Sequence, residues 1–126
     1  MTSVRKVRIQ EGVKGAVVVA TPKYEREVGR LLTESERASM EDAIASNPEG
    51  HPVVPGTGGV RKARWGRQGM GKRGGVRVIY YYLVAGATVY MLSVYSKNEQ
   101  SDMTAEGRNL ARKFVEGVKK CQPIKP

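Results

Sequence analysis

The spacing of apolar residues along this chain changes period several times, and each change predicts an element. Ala-Val-Val-Val-Ala at 16–20 is a short β-branched run and predicts a buried strand. Thr21 and Pro22 then place an N-cap ahead of a proline at the first helical position. Tyr24, Val28, Leu31 and Leu32 follow at helical spacing and define one apolar face. Thr33-Glu34-Ser35-Glu36 has the form of a capping box. It opens a second helix that is expected to bury Met40, Ala43 and Ile44 and to stop before Asn47-Pro48. Helices joined this tightly predict an antiparallel pair, with their acidic residues on solvated outer faces.

A loop broken by Pro48, Pro52, Pro55, Gly56, Gly58 and Gly59 leads into an alternating stretch at 60–65. There Val60, Lys62 and Arg64 point one way, and Arg61, Ala63 and Trp65 the other. Residues 66–74 predict a glycine-rich turn, and 76–84, dense in Val, Ile and Tyr, the strongest strand. Within it Tyr80 and Tyr82 should face away from Tyr81. Gly86 turns the chain, and 88–95 returns as a hairpin. After a polar loop at 97–100, a last helix is expected over about 104–119, with Met103, Leu110, Ala111, Phe114 and Val118 on one side. The order β-α-α-β-β-β-α predicts an α+β fold. It would be a small, curved, antiparallel-rich sheet with an N-terminal helical hairpin and a C-terminal helix, the helices lying on one face. One domain is expected over 16–120. A basic N-terminal extension at 1–15 precedes it, and a tail at 121–126 follows.

Charge sharpens this picture. The formal net charge is +10 with a pI near 10.0, which points to a polyanionic partner. The charge is unevenly spread. Residues 16–49 hold four basic against seven acidic side chains, whereas no acid occurs between Glu49 and Glu99. That gap contains Arg61, Lys62, Arg64, Arg67, Lys72, Arg73, Arg77 and Lys97. A field of one sign opposes folding by self-repulsion unless it is spread over a solvated surface or meets a polyanion.

Other chemistries are narrowed quickly. The single cysteine, Cys121, excludes an internal disulfide and a cysteine-based metal site and fits a reducing, cytoplasmic setting. No run approaches the length of a membrane span. The single histidine, His51, lies in turn-like sequence, where an ordinary loop residue is the simpler reading. Gly66-x4-Gly71-Lys72 mimics a phosphate-binding loop, and Gly69-x-Gly71-x-x-Gly74 a dinucleotide fingerprint. Both need a helix to follow, and a strand follows instead. No cofactor or metal is expected.

The residues that can act together are basic. Lys62 and Arg64 share a strand face, Arg77 joins them if the next strand pairs with theirs, and Lys97 can close the cluster from the end of the last strand. Guanidinium and ammonium groups converging on a concave face suit a phosphodiester. The competing reading is a solvated sheet face. Arg61, Arg67, Lys72 and Arg73 extend the basic surface, and aromatic rings such as Tyr81 offer stacking surfaces to bases if they do not face the core.

At GTGGVRKARW (56–65), GKRGGVRVIYYYL (71–83) and VYMLSVYSKNEQSDMT (89–104) the chain resembles the RelE/ParE superfamily of bacterial toxins. The likeness is greatest to the HigB-like branch of RelE-type toxins and covers about residues 16–119. The resemblance implies a type II toxin that cleaves messenger RNA in the ribosomal A site. It further implies silencing by a cognate antitoxin, HigA-like and of helix-turn-helix type, through which alone operator DNA would be contacted. The RelE pattern of basic residues falls on Lys62 and Arg64, or alternatively Arg61, then on Arg77 and Lys97. The tyrosine that RelE carries near its C-terminal segment has no match, since Met103 and Thr104 stand there.

The reaction so implied is attack of an RNA 2′-hydroxyl on the adjacent phosphate. Arg64 and Arg77 would stabilise the transition state, and Lys62, Lys97 or Tyr95 would carry the proton, because no carboxylate neighbours the cluster in the sequence. Two other classes compete: a ParE-like gyrase poison, and a non-catalytic nucleic-acid-binding module.

Overall fold

The computed structural model describes residues 5–8, 16–67 and 71–121, with side chains placed for 16–66 and 75–120. Five strands form one sheet in the order β1-β2-β5-β4-β3. They are β1 (Arg5–Arg8), β2 (Val17–Ala20), β3 (Arg61–Arg67), β4 (Gly71–Leu83) and β5 (Thr88–Ser96). β2 and β5 run parallel, and every other neighbouring pair is antiparallel. Helices α1 (Pro22–Leu31) and α2 (Glu34–Ser46) join β2 to the β3–β4 hairpin, and α3 (Ala105–Cys121) follows β5.

The helix signals act as read. The Thr21 side chain accepts from the Tyr24 amide at 3.4 Å, and its hydroxyl donates to the Met91 carbonyl at 3.0 Å, so the cap also ties α1 to β5. Thr33 and Glu36 close both halves of the capping box. Tyr24, Val28, Leu31 and Leu32 are all buried.

Several expectations change. Within the N-terminal extension, Arg5–Arg8 forms an edge strand paired with β2; the rest of 1–15 lies outside the described residues. Residues 66, 67 and 71–74 belong to β3 and β4 rather than to a turn, and only 68–70, outside the described residues, separate the strands. The helices occupy both faces of the sheet. Val76, Val78 and Tyr80 of β4 pack with Tyr24, Val28, Met40 and Ile44 of α1 and α2. The intervening Ile79 and Tyr81 pack with Met103 and with Ala111 and Val115 of α3. This follows from strand alternation, which turns successive residues to opposite faces. Tyr80 and Tyr82 do face away from Tyr81, as expected.

On α2, Ala43 is exposed, while Glu41 and Ala45 are buried with Met40 and Ile44. Glu41 is thus not a solvated acid. Its Oε2 accepts from the Tyr24 hydroxyl at 2.6 Å and from Arg37 Nε at 2.9 Å, and the Arg37 guanidinium lies over the Tyr24 ring. Burial and the adjoining carboxylate push the Tyr24 hydroxyl far above its ordinary range. On α3, Val115 is buried and Leu110 is exposed, because the face that meets the sheet is rotated by about one residue from the one expected. Leu110 instead borders a cleft of about 410 Å³ between α1 and α3, floored by Ile79, Leu92 and Tyr95.

Candidate functional site

With α1 and α2 on one face and α3 on the other, Lys62, Arg64 and Arg77 lie on the α3 side of β3 and β4. Arg64 pairs directly with Arg77, and Arg77 with Tyr95, so the three stand in one row across β3, β4 and β5. Lys62 is the partner of Ile79 and so lies on the same face, two residues along from Arg64. Arg77 is buried and Arg64 exposed. Lys97 follows the end of β5 with an exposed side chain, its amide bonded to the Gly75 carbonyl at 3.3 Å.

Two residues that the sequence did not single out complete the group. The loop from β5 to α3 crosses this face and brings in Asp102. Its Oδ1 is 3.1 Å from Lys62 Nζ, and its Oδ2 is 3.3 Å from Arg108 Nη2. The Met103 amide donates to Oδ1 at 2.7 Å. That amide bond and the Lys62 ammonium hold the Asp102 carboxyl below its usual range. A carboxylate therefore does neighbour the cluster, and its partners are Lys62 and Arg108 rather than Arg77. The signal available in the sequence was thin: one acid in a polar loop just ahead of Thr104, whose hydroxyl accepts from the Gly107 amide and caps α3.

Tyr95 ends the row on the β5 side. Its hydroxyl is buried and has no hydrogen-bond partner among the described residues. Burial and the Asp102 carboxylate push it upward in pKa, and Arg77 and Arg108 oppose this. It therefore keeps its proton at neutral pH.

Other candidates fall elsewhere. Arg61 faces α2, as the partner of Tyr80, and donates to the carbonyls of Glu49 and His51 at 3.2 and 2.6 Å. Alternation sends it away from Lys62 and Arg64, to clamp the loop before β3. His51 packs edge-on to Tyr80 on that side, and its pKa is lowered by burial and then by Arg61. Tyr81, expected as a stacking surface, is 7% exposed in the α3-side core, with Gly59 set against its ring. Arg67, Lys72 and Arg73 lie on the ends of β3 and β4 that extend past the row, and their side chains are outside those described.

Two arginines directly opposed across an antiparallel pair repel each other, an arrangement that suits an anionic ligand. A family model described as the RelE toxin of the RelE / RelB toxin-antitoxin system matches residues 29–123. The chain belongs to the RelE toxin family. It is accordingly a toxin of a toxin-antitoxin system, with an antitoxin as its partner. The match begins inside α1 and runs through β3, β4, β5 and α3, so it takes in every residue of the row and both residues that the loop and α3 add to it. No helix among the toxin's described residues is long and apolar enough to cross a membrane.

Proposed function

We propose that this RelE-family toxin is a cytoplasmic, metal-independent endoribonuclease that cleaves messenger RNA in the ribosomal A site, and that a HigA-like helix-turn-helix antitoxin silences it. The observation that carries the reading is the direct pairing of Arg64 with Arg77 across β3 and β4, which puts two arginines opposite each other on a face also bearing Lys62. A scissile phosphate seated there would be attacked by the neighbouring 2′-hydroxyl. The O2′–P bond forms and the P–O5′ bond breaks, leaving a 2′,3′-cyclic phosphate and a 5′-hydroxyl. Negative charge grows on the non-bridging oxygens, and a preorganised cationic donor aimed at them contributes about 3–4 kcal/mol.

Tyr95 keeps its proton, so it fits the donor to the departing O5′ better than the base. Removal of the 2′-hydroxyl proton is assigned to Lys97, since the Lys62 ammonium is engaged with Asp102 at 3.1 Å. With chemistry resting on charge and placement, the ribosome supplies orientation of the substrate.

Primer-extension mapping of mRNA during translation tests the reading, with wild type beside Arg77→Ala. The wild type should produce discrete A-site stops and the variant about 10²-fold fewer. Equal cleavage by both would remove Arg77 from the mechanism, and a DNA-damage response without mRNA cleavage would point to a gyrase poison.

A further inference from the structure

Resting on that ribonuclease reading, we propose that Lys62 and Arg108 form a second phosphate seat beside Arg64 and Arg77, and that Asp102 occupies it in the free toxin and yields it to RNA. The two Asp102 carboxylate oxygens each meet a separate cation, Lys62 Nζ at 3.1 Å and Arg108 Nη2 at 3.3 Å. A phosphodiester has two non-bridging oxygens and can accept from the same two donors. The place is therefore already shaped for a two-oxygen anion.

Its present occupant is held loosely. The Asp102 side chain is 49% exposed, those of Lys62 and Arg108 are 29% and 39% exposed, and Asp102 belongs to a loop rather than to a strand or helix. Ion pairs in such surroundings are worth little, so one anion exchanges for another at small cost. In the absence of RNA, Asp102 relieves the repulsion among the cations. With RNA bound, it rotates out and leaves both donors to phosphate. The place adjoins the Tyr95 hydroxyl, which is buried without a partner among the described residues and feels the charges of Asp102 and Arg77. The substrate that fits is a strand with successive phosphates: the scissile one on Arg64 and Arg77, its neighbour on Lys62 and Arg108.

The test is fluorescence anisotropy on the full chain, using an RNA oligonucleotide 2′-O-methylated throughout so that it binds without being cut. Wild type is compared with Asp102→Asn, Arg108→Ala and Arg77→Ala. Asparagine keeps an acceptor for the Met103 amide, so the loop is retained. Asp102→Asn should bind about fivefold tighter and Arg108→Ala about fivefold weaker, the weight of one half-exposed ion pair. Equal or weaker binding by Asp102→Asn overturns the proposal, and so does unchanged binding by Arg108→Ala. If wild type and Arg77→Ala bind the RNA equally, it is the ribonuclease reading that fails. Inorganic phosphate then decides the seat alone: a larger thermal shift for Asp102→Asn than for wild type upholds it as an anion site, and equal shifts overturn it.

Discussion

Arg64 faces Arg77 across an antiparallel ladder, so removing one of them should help the fold while harming the chemistry. Like charges directly opposite oppose sheet formation by a fraction of a kcal/mol, and threonine is well suited to an edge strand. Arg64→Thr is therefore expected to gain about 0.5 kcal/mol in thermal unfolding and to lose about 10²-fold in mRNA cleavage. A variant that lost stability as well would show Arg64 to be structural. Asp102 allows a second test. Its folded carboxyl is more acidic than the unfolded one, so as pH falls the unfolded chain takes up the proton first. Its contribution is present above about pH 4, the ordinary carboxylate range, and is lost as pH drops through the lower folded value. In urea titrations wild type should exceed Asp102→Asn at pH 7, with the gap narrowing as pH falls below the ordinary carboxylate range; a constant gap would mean the charge plays no part. At this scale Lys62, Arg64 and Arg77 were readable because a strand's two-residue period decides which side chains share a face. Asp102 and Arg108 were not, since they reach the row through a loop path and a helix rotation that no local pattern encodes. Glu41 could have been read: on a helix it falls four residues after Arg37, beside Met40 and Ile44.

Periodicity located the elements well and their rotation less well. Each strand and helix of the β-α-α-β-β-β-α order was legible, because caps, prolines and β-branched runs act locally. The division of helices between the two faces was not, since it depends on how the chain leaves β5. The exposed Leu110 has the same cause, for one residue of helix turns its face by about 100°. The connection between β4 and β5 offers a test confined to an element. Ala87 sits at φ 47 and ψ 48, its amide closing the turn onto the Val84 carbonyl. The left-handed region costs a residue with a Cβ about 1–2 kcal/mol, and glycine gives back part of that through its freer unfolded chain. Ala87→Gly is expected to raise the unfolding free energy by about 0.5 kcal/mol net, read as a higher urea midpoint. A lowered midpoint would show that the turn is not strained at Ala87.

At the level of the molecule, charge is separated as the sequence suggested. Three acids of α1 and α2 are engaged with cations of the same two helices, in Lys23–Glu27, Arg37–Glu25 and Arg37–Glu41. On the other side, Lys62 of β3 and Arg108 of α3 share Asp102, and Arg112 of α3 meets Glu116. With a net +10, repulsion on the second face outweighs the exposed pairs on the first. Added salt should therefore stabilise this toxin, in contrast to a protein held by surface ion pairs. Raising KCl from about 20 to about 500 mM shortens the screening length from roughly 20 Å to roughly 4 Å, less than the width of the basic face. The melting temperature should rise over that range, and less in Arg64→Thr, where part of the repulsion is already gone. The same salt competes with phosphate contacts, so affinity for the 2′-O-methylated RNA should fall steeply. Opposite responses of stability and binding are what a face that stores repulsion for an anionic ligand requires. If both fell together, the cations would be balanced within the fold and the site would have no stored repulsion for RNA to relieve.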